Sequence, residues 1–187
     1  MSRPTDARRA AQRGFSMIEV MVTLLVVALG LLGVSKLQAA SVSNTQVSRV
    51  RAMLSLQAGS LAAAMHANPA FWASGMAPAS FTVSAARVTD SSGVLNAALG
   101  TGACTGTDAT ACSPGQIAAL DVQNWATNLN AQMPTYSGTV TCSATVPVGC
   151  QISLRWSEKY VATNSSTAQA AQVAQTGTPA FTLFVAP

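Results

Sequence analysis

Polar and apolar residues alternate along this chain with three different periods in turn. The first fourteen residues, MSRPTDARRAAQRG, are polar. From Phe15 to Val34 the chain is almost unbroken in its apolarity, with one carboxylate, Glu19, near the start. Twenty residues make a helix of about 30 Å, the thickness of a bilayer's hydrocarbon core. Beyond Val34 the pattern becomes amphipathic. Val34, Leu37, Val42, Val47, Val50, Met53, Leu54, Leu61 and Met65 recur mostly at helical steps, with Gln38, Ser41, Asn44, Arg49, Arg51 and Gln57 between them. No proline interrupts residues 15–68, and Asn68-Pro69 is a stop signal. One helix over 15–67 is therefore predicted, with its second half, from Val34 on, lying against a head domain of residues 68–187.

The head reads as helix then strands. Residues 69–112 look irregular, apart from one strand predicted over 81–88. Ser113-Pro114-Gly115-Gln116 is a helix start: a capping Ser, Pro at the first position, and Gln completing a capping box. Ala118, Val122, Trp125, Leu129 and Met133 then share one face, and Pro134 ends a helix over 114–132. Alternation predicts a strand over 139–146, with Val140, Cys142, Ala144 and Val146 inward. A second follows at 150–156, with Cys150, Ile152, Leu154 and Trp156 inward, and a last one carries Phe181, Leu183 and Val185. Residues 162–179 read as a polar loop. The fold class is α+β: a long helix leaning on a small antiparallel sheet.

Charge changes the picture at the N-terminus. The net +4 includes four leader arginines, Arg3, Arg8, Arg9 and Arg13, against Asp6. Without the leader the chain carries +1, and from Asn68 onward it is slightly acidic. A nucleic-acid-binding head would need clustered Lys and Arg, so none is expected. The leader arginines place the N-terminus on the cytoplasmic side, with the head translocated. Charged residues are only 9% of the chain, far below a cytosolic enzyme's usual share.

Four cysteines, Cys104, Cys112, Cys142 and Cys150, are spaced unlike a zinc site. Disulfides in an oxidising compartment are the better reading. Three pairings exist; the two local ones are favoured, and Cys142 and Cys150 fall on the apolar faces of adjacent strands. His66 is the only histidine and has no Cys, Asp or Glu at a ligating spacing. No phosphate loop, dinucleotide fingerprint or nucleophile elbow occurs. No catalytic residue, metal or cofactor is expected.

Glu19 decides among readings of the apolar run. A secretory signal peptide has such a basic leader, and Leu37-Gln38-Ala39 is a passable cleavage site. The run is long for one, however, and a carboxylate inside it costs roughly 2.5–3.5 kcal/mol. A plain anchor leaves that cost unexplained.

Arg13-Gly14-Phe15-Ser16-Met17-Ile18-Glu19-Val20 resembles the signal of type IV pilins and type II secretion pseudopilins. The resemblance implies the pilin fold, cleavage between Gly14 and Phe15 by a prepilin peptidase, and N-methylation of Phe15 by the same enzyme. It implies that Glu19 pairs with a neighbouring subunit's terminal amine during assembly. Gly30 and Gly33 are soft points or close-packing positions of the helix. The helix-breaking proline common in major pilins is missing near Lys36. Asp121-x-x-x-Trp125 followed by Met133-Pro134 resembles PilV-type minor pilins, although Trp125 reads physically as core. The expected partners are other minor and major pilins and an inner-membrane assembly platform. The expected route runs from single-pass inner-membrane protein, head periplasmic, to surface pilus. A minor pseudopilin is the alternative, with a DNA-uptake pilin or a secreted enzyme further behind.

Overall fold

The computed structural model describes residues 14–99, 104, 112–158 and 178–187. Helix α1 runs unbroken from Met17 to Ala67, 51 residues, or about 77 Å at 1.5 Å per residue. It stops where Asn68-Pro69 predicts and starts two residues after the expected Phe15, with Ser16 as N-cap. Its buried residues are Ser43, Leu54, Ala58, Leu61 and Met65. The last four step by three and four residues and form one stripe. Val34, Leu37 and Val42, expected against the head, are instead exposed at 49%, 69% and 59%. Two helices and two strands of the head pack against α1, and the buried stripe they cover lies in its C-terminal part.

Residues 69–99 are more ordered than their composition suggests. Asn68 ends α1, and a single turn, α2 (Pro69–Trp72), follows at once. The Asn68 amide donates to the Pro114 carbonyl at 2.8 Å, tying this corner to the next helix. Phe71 and Trp72 are buried edge to face, with ring centroids 5.0 Å apart.

The single strand expected over 81–88 is a hairpin. Strand β1 (Ser80–Ser84) pairs antiparallel with β2 (Arg87–Asp90), with Val83 opposite Val88. The turn consists of Ala85 and Ala86, both left-handed at φ 48° and 60°. Positive φ at both central residues is what a two-residue hairpin needs, and Asn-Gly or Asp-Gly supplies it most cheaply. Two alanines hide the turn from the sequence.

Helix α3 (Pro114–Gln132) begins as its capping box predicts. The Ser113 hydroxyl accepts from the Gln116 amide, and the Ser113 amide donates to the Gln116 side chain. Ala118, Val122, Trp125, Ala126 and Leu129 are buried. The Trp125 indole donates to the Gln57 carbonyl at 2.8 Å, a polar link between α3 and α1 inside an apolar contact.

Strands β3 (Ser137–Cys142), β4 (Cys150–Arg155) and β5 (Ala180–Val185) complete an antiparallel sheet of order β2-β1-β3-β4-β5. Strand β3 stops four residues short of the expected end, so Ala144 and Val146 lie in an exposed turn. The reason is the closure at Cys142. That residue pairs with Cys150 and is disulfide-bonded to it, and the Ser143 amide then donates to the Gly149 carbonyl at 2.9 Å. Cys150, Ile152, Leu154 and Trp156 all face the core, as alternation predicts. Gly138 sits where the layers approach most closely. A Cβ there would lie 3.1 Å from the Leu154 side chain. Leu54, Leu61, Met65, Val122, Leu129, Val140 and Ile152 fill the space between sheet and helices.

Candidate functional site

The N-terminal end of α1 holds the residues singled out for processing and assembly. Gly14, Phe15 and Ser16 precede the helix as exposed, non-helical chain. Ser16 is the N-cap, with extended backbone at φ −72° and ψ 139°, and its carbonyl accepts from the Glu19 and Val20 amides at 3.0 and 3.3 Å. Glu19 is the third residue of α1. Ser16-x-x-Glu19 has capping-box spacing, yet the Ser16 side chain makes no capping bond. The carboxylate stands in the first turn, where the positive end of the helix dipole favours it. Among the described residues no side chain or amide bonds to it.

Around Glu19 the surface is apolar. Phe15, Met17, Ile18 and Met21 are exposed, and so are the Leu and Val side chains beyond them. The helix is the one among the described residues long and apolar enough to cross a membrane, and the window that qualifies is unburied. Its hydroxyls satisfy themselves. Thr23 donates to the Val20 carbonyl at 2.9 Å and Ser35 to the Leu31 carbonyl at 2.8 Å. Glu19 makes no such local bond among the described residues, although its capping-box position would let it accept from the Ser16 amide. Residues 1–13, with Arg13 of the motif, lie outside the described residues.

Two acids of the head are bound into its frame. Glu158 is a buried acid that sequence reasoning passed over. Its carboxylate accepts both Nε and an Nη of Arg51 on α1, at 2.7 and 2.8 Å, and the Trp156 indole at 2.9 Å. The only sequence signal was a carboxylate two residues past a strand's last inward Trp. Asp90 ends β2 and folds the following turn, accepting from the Ser92 amide and hydroxyl and from the Val94 and Leu95 amides. Burial pushes its pKa up, but these donors together outweigh burial and hold it below 3.8. Asp121 on α3 faces a groove against α1 alongside Gln57, Ser60, Asn124 and Asn128. Burial raises its pKa.

The thiols are disulfides, Cys104 with Cys112 and Cys142 with Cys150. His66 is exposed in the last turn of α1. No group of three His, Cys, Asp or Glu side chains gathers among the described residues.

A long apolar helix followed by a five-stranded antiparallel head is a pilin-like α+β architecture. Residues 9–35 match the family model of the prokaryotic N-terminal methylation motif. The match spans the end of the leader, the Gly14–Phe15 junction, Glu19 and the apolar run. The match covers this N-terminal segment alone and indicates a prepilin-like methylation motif there. No curated protein and no solved structure matches the chain.

Proposed function

We propose that this chain is a minor pilin, similar to the PilV type, that helps prime a type IV pilus and enters it, with the tip as a position. The observation that carries the reading is the state of Glu19: a carboxylate with no partner among the described residues, in the first turn of a helix whose apolar N-terminal part is exposed, four residues from the motif's Gly-Phe junction.

Cleavage between Gly14 and Phe15 discards the leader arginines and creates a terminal amine, which is then methylated. In the inner membrane, residues 15–34 span the bilayer and the head is periplasmic. A carboxylate in hydrocarbon must meet a cation or be neutralised. The amine of a neighbouring subunit supplies that cation, and the pairing sets the axial register between helices. The remaining helix surface then exchanges lipid contacts for contacts with sister helices. Small residues such as Gly30 and Gly33 permit close approach, since a Cβ at either would meet nothing within the subunit. The exposed stripe through Val42 extends this contact past the membrane span.

The test is incorporation. Glu19→Ala should leave membrane insertion unchanged while reducing the protein in sheared pili about tenfold or more, the loss expected for one buried charge pair. Undiminished recovery of that variant from sheared pili would remove Glu19 from the mechanism. Recovery of the native chain only in a periplasmic secretion filament would favour a pseudopilin.

A further inference from the structure

The outer face of the sheet, turned away from α1 and α3, has a composition that assembly does not explain. Register places Thr89, Thr82, Thr139, Ser153 and Thr182 in one straight row across all five strands. This hydroxyl row spans four strand spacings, roughly 19 Å. Next to it, Arg87 and Arg155 lie in a second row, linked through Ser84 and Ser137. They are three strand spacings apart, roughly 14 Å. The third row ends at Phe184, exposed at 76%.

No strand places a carboxylate on this face. The two acids nearest the sheet point elsewhere: Asp90 is held by the turn after β2, and Glu158 is held by Arg51 and Trp156. Among the described residues neither Arg87 nor Arg155 is paired with an acid. Among the described residues, a slightly acidic head therefore presents one face that is cationic, hydroxyl-rich and free of acids. A shallow depression of about 420 Å³ lies on it, bounded by Thr139, Thr141, Gln151, Ser153 and Arg155 among others.

We propose that this face binds an anionic polysaccharide whose sugars carry carboxylates. Arg guanidinium groups take carboxylates in paired hydrogen bonds. Threonine, serine and glutamine side chains both donate and accept, and so match sugar hydroxyls of either polarity. Phe184 offers an apolar ring for the C–H face of a sugar at the edge of the sheet. Charge density decides against nucleic acid. Two arginines about 14 Å apart are sparse against a duplex carrying one charge per roughly 1.7 Å of axis, but they suit a polymer whose charges are spaced by whole sugars.

The proposal is tested with the full-length protein in non-ionic detergent, using alginate oligosaccharide as the polyuronate probe. A neutral cello-oligosaccharide and a short DNA duplex serve as comparisons. Alginate binding is expected to be saturable and to weaken with salt, as exposed charge contacts do. Arg87→Gln with Arg155→Gln should weaken it about tenfold or more, the loss expected for hydrogen bonds to charged groups. Thr139→Glu, which sets a carboxylate in the middle of the exposed face, should abolish it. Lys36→Gln, which removes a cation from the helix, should not change it. Tryptophan fluorescence of each variant checks that the head is intact. The proposal is overturned by absence of alginate binding, by equal binding of the neutral oligosaccharide, or by insensitivity to the arginine and Thr139 variants. Tighter binding of the DNA duplex, lost in the same arginine variants, would assign the face to nucleic acid instead.

Discussion

Three individual residues carry costs that the chain keeps. Glu19 has no partner among the described residues and stands in an apolar surface, a cost that the proposed pairing in an assembly would offset. Ala86 holds a left-handed backbone that costs a non-glycine residue roughly 1–2 kcal/mol. Ala86→Gly relieves that strain and gives back part of it as unfolded-state entropy. It should stabilise the head by about 0.5–1 kcal/mol in urea unfolding. Asp121 is half-buried in the α1–α3 groove, and burial raises its pKa. A carboxyl whose folded pKa is raised binds its proton more tightly in the native state. The native state is therefore penalised at pH values above the folded pKa, and the penalty fades as pH falls to the unfolded value near 3.8. Asp121→Asn should raise the unfolding temperature at pH 7 and leave it unchanged at pH 3. An equal shift at both pH values would locate the effect in packing rather than charge. All three tryptophans lie buried in the head, so their fluorescence reports its unfolding alone.

Element-scale features divide by how local their causes are. Both long helices were legible because each rests on periodicity and on stop signals a few residues apart. The apolar run with Asn68-Pro69 defines α1, and Ser113-Pro114 with Gln116 defines the start of α3. Alternation found the inward residues of β4 and β5. The β1–β2 hairpin stayed hidden because its turn lacks the residues that make left-handed backbone cheap. The end of β3 was misplaced because Val146 continues the alternation although the Cys142–Cys150 pair has already closed the hairpin. The Arg51–Glu158 contact joins residues 107 positions apart, which no local pattern shows. It clamps the segment after β4 onto α1. Arg51→Ala removes the cation from a buried carboxylate and leaves it the Trp156 indole, and should destabilise the head by about 3 kcal/mol, the lower part of the range for broken buried pairs, because the arginine is half-exposed. A loss below about 0.5 kcal/mol, as for a surface pair, would show that solvent or other groups compensate Glu158.

At the scale of the whole molecule, the chain separates three tasks along its sequence. The leader carries most of the net charge, the first part of α1 carries an exposed apolar surface, and the head buries one stripe of its C-terminal part. The motif at residues 9–35 sits at the boundary between the first two. The boundary was legible in the sequence because charge, apolarity and the misplaced Glu19 all change within six residues. The outer face of the head was not, since it is built from five strands brought into register only by the fold. The central claim is that the chain is cut at this boundary to expose an amine for Glu19 pairing. The mass of the mature N-terminus, read with and without a prepilin peptidase, tests it most directly. With the peptidase, the chain should begin at N-methylated Phe15, and without it the leader should remain. A mature terminus at Ala40, independent of the peptidase, would contradict the account and return the apolar run to a secretory signal.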